Sequence, residues 1–249
     1  MKNLNSHPNH NSDIFNIIKK NLKDQSLETK RNHPFNKQVL WNMFTHEFQL
    51  MFERPFLHDD IVKKNIEAIF YYFLESDKFF ECQNLQKDEP APSFKKGLLL
   101  FGNVGVGKTH IMMVFEKIFK NYPPHRFTVI PTYKVVDKYE SIITSADKDF
   151  FYQSFTNGTI LFDDLSSEKM ANNFGHVNIM KEVLIRRSAI KSSSKMNTKT
   201  HLTMNPLPGF ENDVNGSLLG LGENYDQRMV DRMYEMFNVI QFNGKSMRR

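Results

Sequence analysis

A turn bounded by glycines and followed at once by lysine and threonine has the makings of a phosphate cradle. The segment Gly102-Asn103-Val104-Gly105-Val106-Gly107-Lys108-Thr109-His110 has this form, G-x-x-x-x-G-K-T, directly after the apolar run Leu98, Leu99, Leu100 and Phe101. Glycine lets the backbone turn so tightly that successive N–H groups point inward at phosphate oxygens. Lys108 is long enough to reach β- and γ-phosphates, and the Thr109 hydroxyl is an oxygen ligand suited to Mg²⁺. A helix carrying Ile111 to Phe115 would turn its positive N-terminal end to the same anion. A purely structural glycine turn has no use for Gly-Lys-Thr after a buried strand. The segment therefore predicts that Gly102 to His110 bind a nucleoside triphosphate.

Other polar residues fall just after apolar runs. Ile160-Leu161-Phe162 ends in Asp163-Asp164. In a nucleotide site the first carboxylate would hold Mg²⁺ through water, and the second would orient or deprotonate the attacking water. Alone, such a pair could equally cap the next helix; the phosphate loop upstream tips it towards function. Asn205 ends the run Thr200 to Met204 and precedes Pro206, so it is either a turn residue or an amide aimed at the γ-phosphate or attacking water. Arg228 and Arg232 share a helix face at i, i+4, opposite a stripe of Met229, Met233, Met236 and Phe237. They are either a solvated face offset by Asp231 and Glu235, or cations held out for an anion. An arginine given to a γ-phosphate stabilises transition-state charge, and from the far side of a domain that phosphate would be a neighbouring subunit's.

The elements that must position these groups alternate. Short β-type runs at Phe127 to Ile130, Thr159 to Phe162, Thr200 to Met204 and Val239 to Phe242 are separated by helical patterns. The helical patterns are Lys134 to Thr144, a stripe of Val177, Met180 and Leu184, and Tyr225 to Phe237. Alternation of this kind predicts an α/β fold with a parallel sheet and ligands at the carboxyl ends of its strands. Upstream, Leu40, Trp41, Phe44, Phe48 and Met51 mark one amphipathic helix. Val62, Ile66, Ile69, Phe70 and Phe73 mark a second, capped by Asp59 or Asp60. These helices either cover one another and the core or form a docking surface. Residues 82–96 carry Pro90 and Pro92 and read as a linker. Residues 1–33 are polar and predict a disordered tail, giving a helical region over 34–90 and a core over 91–249.

Composition narrows the classes. The 249 residues are 40% hydrophobic and 24% charged, ordinary for a globular chain of one large domain with an appendage. No apolar run reaches membrane-span length, and no signal core opens the sequence. The single cysteine, Cys82, excludes an internal disulfide and fits a reducing cytoplasm. A net charge of +5 permits nucleic-acid contact.

Together, GNVGVGKT, ILFDDL, THLTMNP and RMVDRMYEMFNVIQFNGKSMRR resemble the DnaC/IstB-like branch of the AAA+ P-loop ATPases, over roughly residues 94–249. The resemblance implies a P-loop NTPase (AAA+) core, a parallel five-stranded sheet flanked by helices, behind a small helical N-terminal region. It implies Mg-dependent ATP hydrolysis at the junction between like subunits, with Lys108, Asp164, Asn205 and Arg232 catalytic and Thr109 and Asp163 on the metal. By resemblance Asn205 takes the sensor-1 role, Arg232 the trans arginine finger with Arg228 as its alternative, and Arg248 the sensor-2 position. Ser166 stands where the family often has glycine, and the helical lid of larger relatives is expected to be absent or minimal. The branch implies DNA binding, often single-stranded, through roughly Tyr133 to Tyr152 with Lys134, Lys138 and Lys148. Arg186, Arg187 and the basic loop Lys191 to Lys199 are further candidates. The implied job is helicase loading in DNA replication, with a replicative helicase or transposase met through residues 34–90. A transposition helper ATPase or a nucleotide-gated adaptor is the alternative.

Overall fold

The computed structural model describes residues 34–173, 175–192, 198–211 and 213–247. The expected tail, the middle of the loop from Lys191 to Lys199, and Arg248 lie outside the described residues.

Two compact units divide between Phe56 and Leu57. In the first, helix α1 (Lys37–Phe52) starts at Asn36, whose side-chain oxygen accepts from the Val39 N–H at 2.8 Å. It stops at Glu53, which takes a left-handed φ of 53°. Phe56 then folds back edge-on against Phe44 and Phe48, at ring-centroid distances of 5.0 and 4.9 Å.

The second unit opens with α2 (Asp60–Phe73), and the cap falls on Asp59, which accepts from Val62 N–H at 2.8 Å. After a 3₁₀ turn (Asp77–Glu81) come β1 (Gly97–Gly102), α3 (Lys108–Phe119), β2 (Thr128–Pro131), α4 (Thr132–Glu140) and α5 (Ser145–Thr156). Then follow β3 (Ile160–Leu165), the small hairpin β4 (Ala171–Asn172) and β5 (His176–Val177), and α6 (Ile179–Ser192). The chain continues through β6 (Thr200–Met204), α7 (Val214–Tyr225), α8 (Gln227–Met236) and β7 (Phe237–Phe242). The main sheet has five strands in the order β2-β3-β6-β1-β7, and every pairing in it is parallel.

Both faces of this sheet are covered, so its strands are apolar runs rather than alternating ones. Leu99, Phe101, Ile160, Phe162, Leu202 and Met204 point to a core completed by α4 to α8. On the other face, α2 and α3 interleave: Phe73 lies 5.0 Å from Phe115 and 4.8 Å from Phe119, and 6.1 Å from the His201 ring. Among the described residues no helix is long and apolar enough to cross a membrane.

Three local expectations change. The helix expected over Lys134 to Thr144 is shorter and is followed by a second, because Thr144 and Asp147 form a capping box that starts α5. Val177 lies in β5, paired with Ala171, rather than on the helix after it. Helix α7 has no counterpart among the patterns read from the sequence. Its residues VNGSLLGLGENY include three glycines, which mask a helix when propensity is read locally.

Candidate active site

Strands β1, β3 and β6 end side by side, and the site is built from what each carries past its last residue. Gly105 and Gly107 hold φ values of 86° and 95°, which favour glycine. A side chain on Gly105 would also meet the Ser246 Oγ at 2.3 Å. Gly107 supplies no side-chain cap to α3, and the helix turns its N-terminal end towards the loop, the end that favours an anion.

Lys108 is buried and curls under the loop. Its Nζ donates to the Gly102 carbonyl, to the Asn103 carbonyl at 2.9 Å and to Asn205 Oδ1 at 2.9 Å. The Asn205 amide in turn donates to Asp164 Oδ1 at 2.6 Å, so a single side chain spans the lysine and the second carboxylate. Thr109 Oγ1 donates to Asp163 Oδ1 at 2.8 Å.

The two aspartates are aimed by an irregularity. The β3–β6 register runs Phe162 to Leu202 and then jumps to Leu165 against Met204, which puts a bulge at the acidic pair. Asp164 has a left-handed φ of 64°, and Ser166 follows at 75°. Ser166 thus takes a backbone conformation that glycine adopts at less cost. Thr203 was not singled out from the sequence. It is buried, and its hydroxyl donates to Asp163 Oδ1 at 2.6 Å while accepting from the Asp164 N–H at 2.8 Å. Its place two residues before Asn205, on the same strand face, is the signal that could have exposed it.

These groups surround a cavity of about 360 Å³ lined by Val104, His110, Thr203 and the loop and acidic residues named above. The cavity fits a Mg-nucleotide in its chemistry: a helix N-terminus, a buried lysine, and hydroxyl and carboxylate oxygens in contact. No group of three or more His, Cys, Asp or Glu side chains that could hold a metal occurs among the described residues. Thr109 and Asp163, in contact at 2.8 Å, are the oxygen groups that would hold a cation together with phosphate oxygens.

The arginines are placed differently from one another. Arg228 is exposed on α8, whereas Arg232 is half-buried and donates to Ser188 Oγ on α6 at 2.7 Å. Arg186 is exposed and stacks over Tyr152 with Cζ 3.8 Å from the ring centroid. Arg187 is not available for nucleic acid: it is 1% exposed and donates to Thr200 Oγ1 and the carbonyls of Phe155, Gly158 and Lys199. Burial lowers its pKa to about 10. The helical step of α6 turns one arginine out and its neighbour in.

Fold and site together define an α/β architecture in which a parallel five-stranded sheet carries a glycine-rich loop, a lysine and two aspartates at the carboxyl ends of adjacent strands. No family model matches the sequence, and no curated protein matches it. Among solved structures, the fold is similar to that of the DnaC helicase loader, at a TM-score of 0.50 and 16% identity over 76% of this chain and 94% of that one. DnaI aligns at a TM-score of 0.48 and 18% identity, over 77% of this chain and 90% of that one. A putative primosome component from Streptococcus pyogenes serotype M3 aligns at 0.48 and 14%, over 86% of this chain and all of that one. The likeness to a DnaC-type core anticipated from the sequence is thus present in the fold.

Proposed function

We propose that this chain is a Mg-dependent ATPase that works on DNA as a helicase-loader-like protein, with its site completed by a neighbouring copy. The observation that carries this is the Lys108–Asn205–Asp164 relay beside the Thr109–Asp163 pair, at the carboxyl ends of adjacent parallel strands. In the proposed roles, the loop from Gly102 to His110 grips phosphates, and Lys108 offsets their charge. Thr109 and Asp163 hold Mg²⁺, which when bound neutralises charge developing on phosphate oxygens. Asp164, oriented by Asn205, accepts a proton from the attacking water or aligns it. Arg232, or the more exposed Arg228, reaches the site of the next subunit.

The DNA surface is assigned to α4 and α5. Tyr133, Ile143 and Phe150 are exposed there among Lys134, Lys138 and Lys148, and Lys138 Nζ lies 4.9 Å from the Phe150 ring centroid. Basic groups interleaved with rings suit a single strand, which is held through phosphates and stacked bases. Capture of a replicative helicase or a transposase falls to residues 34–90.

The test is phosphate release from Mg-ATP with and without single-stranded DNA. Asp164→Asn should bind ATP yet lose ~10²-fold or more in turnover, and Lys108→Ala should lose binding itself. Wild-type levels of phosphate release from both variants would overturn the assignment.

A further inference from the structure

The geometry assigns Thr203 as a positioning residue that locks the acidic pair, setting where the carboxylate of Asp164 stands relative to that of Asp163. The assignment rests on the ATPase function proposed above.

A threonine hydroxyl has one proton and two lone pairs. Here the Asp164 N–H occupies a lone pair at 2.8 Å, and the proton goes to Asp163 Oδ1 at 2.6 Å. The result is a directed chain from the main chain of one aspartate to the side chain of the other. Thr203 is 1% exposed, so no water competes for either bond.

Asp164 needs such a restraint. Its φ of 64° is a conformation that a non-glycine residue keeps only when its surroundings enforce it. The carbonyl side of its peptide is held by Thr132 Oγ1 at 3.0 Å and Ser167 Oγ at 2.6 Å. The amide side is held by Thr203. Asp163 Oδ1 also accepts from Thr109 Oγ1 at 2.8 Å. Thr109 is the group offered to the cation, so Thr203 is the donor that stays on Asp163. Groups that orient metal-ligating or catalytic side chains in this way commonly change activity by ~10–100-fold when removed.

Thr203→Val keeps the shape and deletes the hydroxyl; Thr203→Ser keeps the hydroxyl and deletes the methyl. Calorimetry with ATP in the absence of Mg²⁺ should give affinities within ~3-fold of wild type for both. The valine variant should lose ~10–100-fold in kcat and need more Mg²⁺ for half-maximal rate, whereas serine should stay within ~3-fold of wild-type kcat. Without nucleotide, hydrogen exchange at the Asp164 amide should quicken in the valine variant and not in the serine one. If valine prevents folding, Thr203→Cys replaces it, a thiol being a weaker donor. Wild-type kcat in the valine variant, or equal losses in valine and serine, would overturn the assignment. Absence of ATP binding by the wild-type protein would instead overturn the ATPase function, and this assignment with it.

Discussion

Ser166 and Asp164 both sit at left-handed φ values on the same short stretch around the end of β3, but only Asp164 has an evident use for the strain. A non-glycine residue there costs on the order of 1–3 kcal/mol, and glycine gives back part of that through its freer unfolded state. Ser166→Gly should therefore stabilise the protein by about 0.5–1 kcal/mol, read as a shifted urea midpoint with an unchanged slope. A destabilised variant would mean that the serine side chain holds the turn. At this scale the residues legible in the sequence are those whose neighbours in the chain define them, as Gly102 to Thr109 define a tight glycine turn that opens a helix at Lys108. Thr203 escaped because its two partners lie on another strand and at a bulge that no periodicity announces. Arg187 reads as a nucleic-acid candidate for a related reason: three of its four acceptors are the carbonyls of Phe155, Gly158 and Lys199, and carbonyls leave no mark in a sequence.

Between elements, the joint between α2 and the sheet centres on His201. Its Nδ1 accepts from the Leu98 N–H at 3.0 Å, so its proton sits on Nε2, and the rings of Tyr72, Phe73 and Phe127 enclose it. Burial, with Lys199, Arg187 and His125 nearby, lowers its pKa from 6.5 to about 3. The folded state thus binds fewer protons than the unfolded one between those values, and stability must rise with pH across the window. It is fully present above pH 6.5 and is lost progressively as pH falls from there. From pH 7 to pH 5 the loss from this group alone is about 2 kcal/mol. His201→Asn, whose side-chain oxygen can replace the Nδ1 acceptor, should remove that increment from denaturation curves at the two pH values. An undiminished pH dependence would show that other groups carry it. The amphipathic stripe of α2 was readable as Val62, Ile66, Ile69, Phe70 and Phe73. What it packs on was not, since apolar spacing names a face and never the surface opposite.

At the scale of the whole molecule, a site with an arginine from a second copy requires a head-to-tail arrangement in which each chain both receives and donates. That makes the two halves separable by mixing. A chain with Arg228→Ala and Arg232→Ala keeps its own Lys108, Asp163 and Asp164 but cannot serve its neighbour. A chain with Asp164→Asn can serve its neighbour but cannot turn over. Each preparation alone should be nearly inactive. In an equal random mixture, half of the junctions have an intact acidic pair and half of those face an intact arginine, so about a quarter of wild-type turnover should return. The single variants Arg228→Ala and Arg232→Ala, mixed in the same way, identify which arginine crosses the junction. Arg232 would have to leave its 2.7 Å bond to Ser188 to do so, whereas Arg228 already stands in solvent. If Arg232 is the donor, Ser188→Ala should ease its release and raise turnover in the wild-type background; if Arg228 is, that change should leave turnover alone. A mixture no more active than its components would place every catalytic group within one chain and end the two-subunit description of the site.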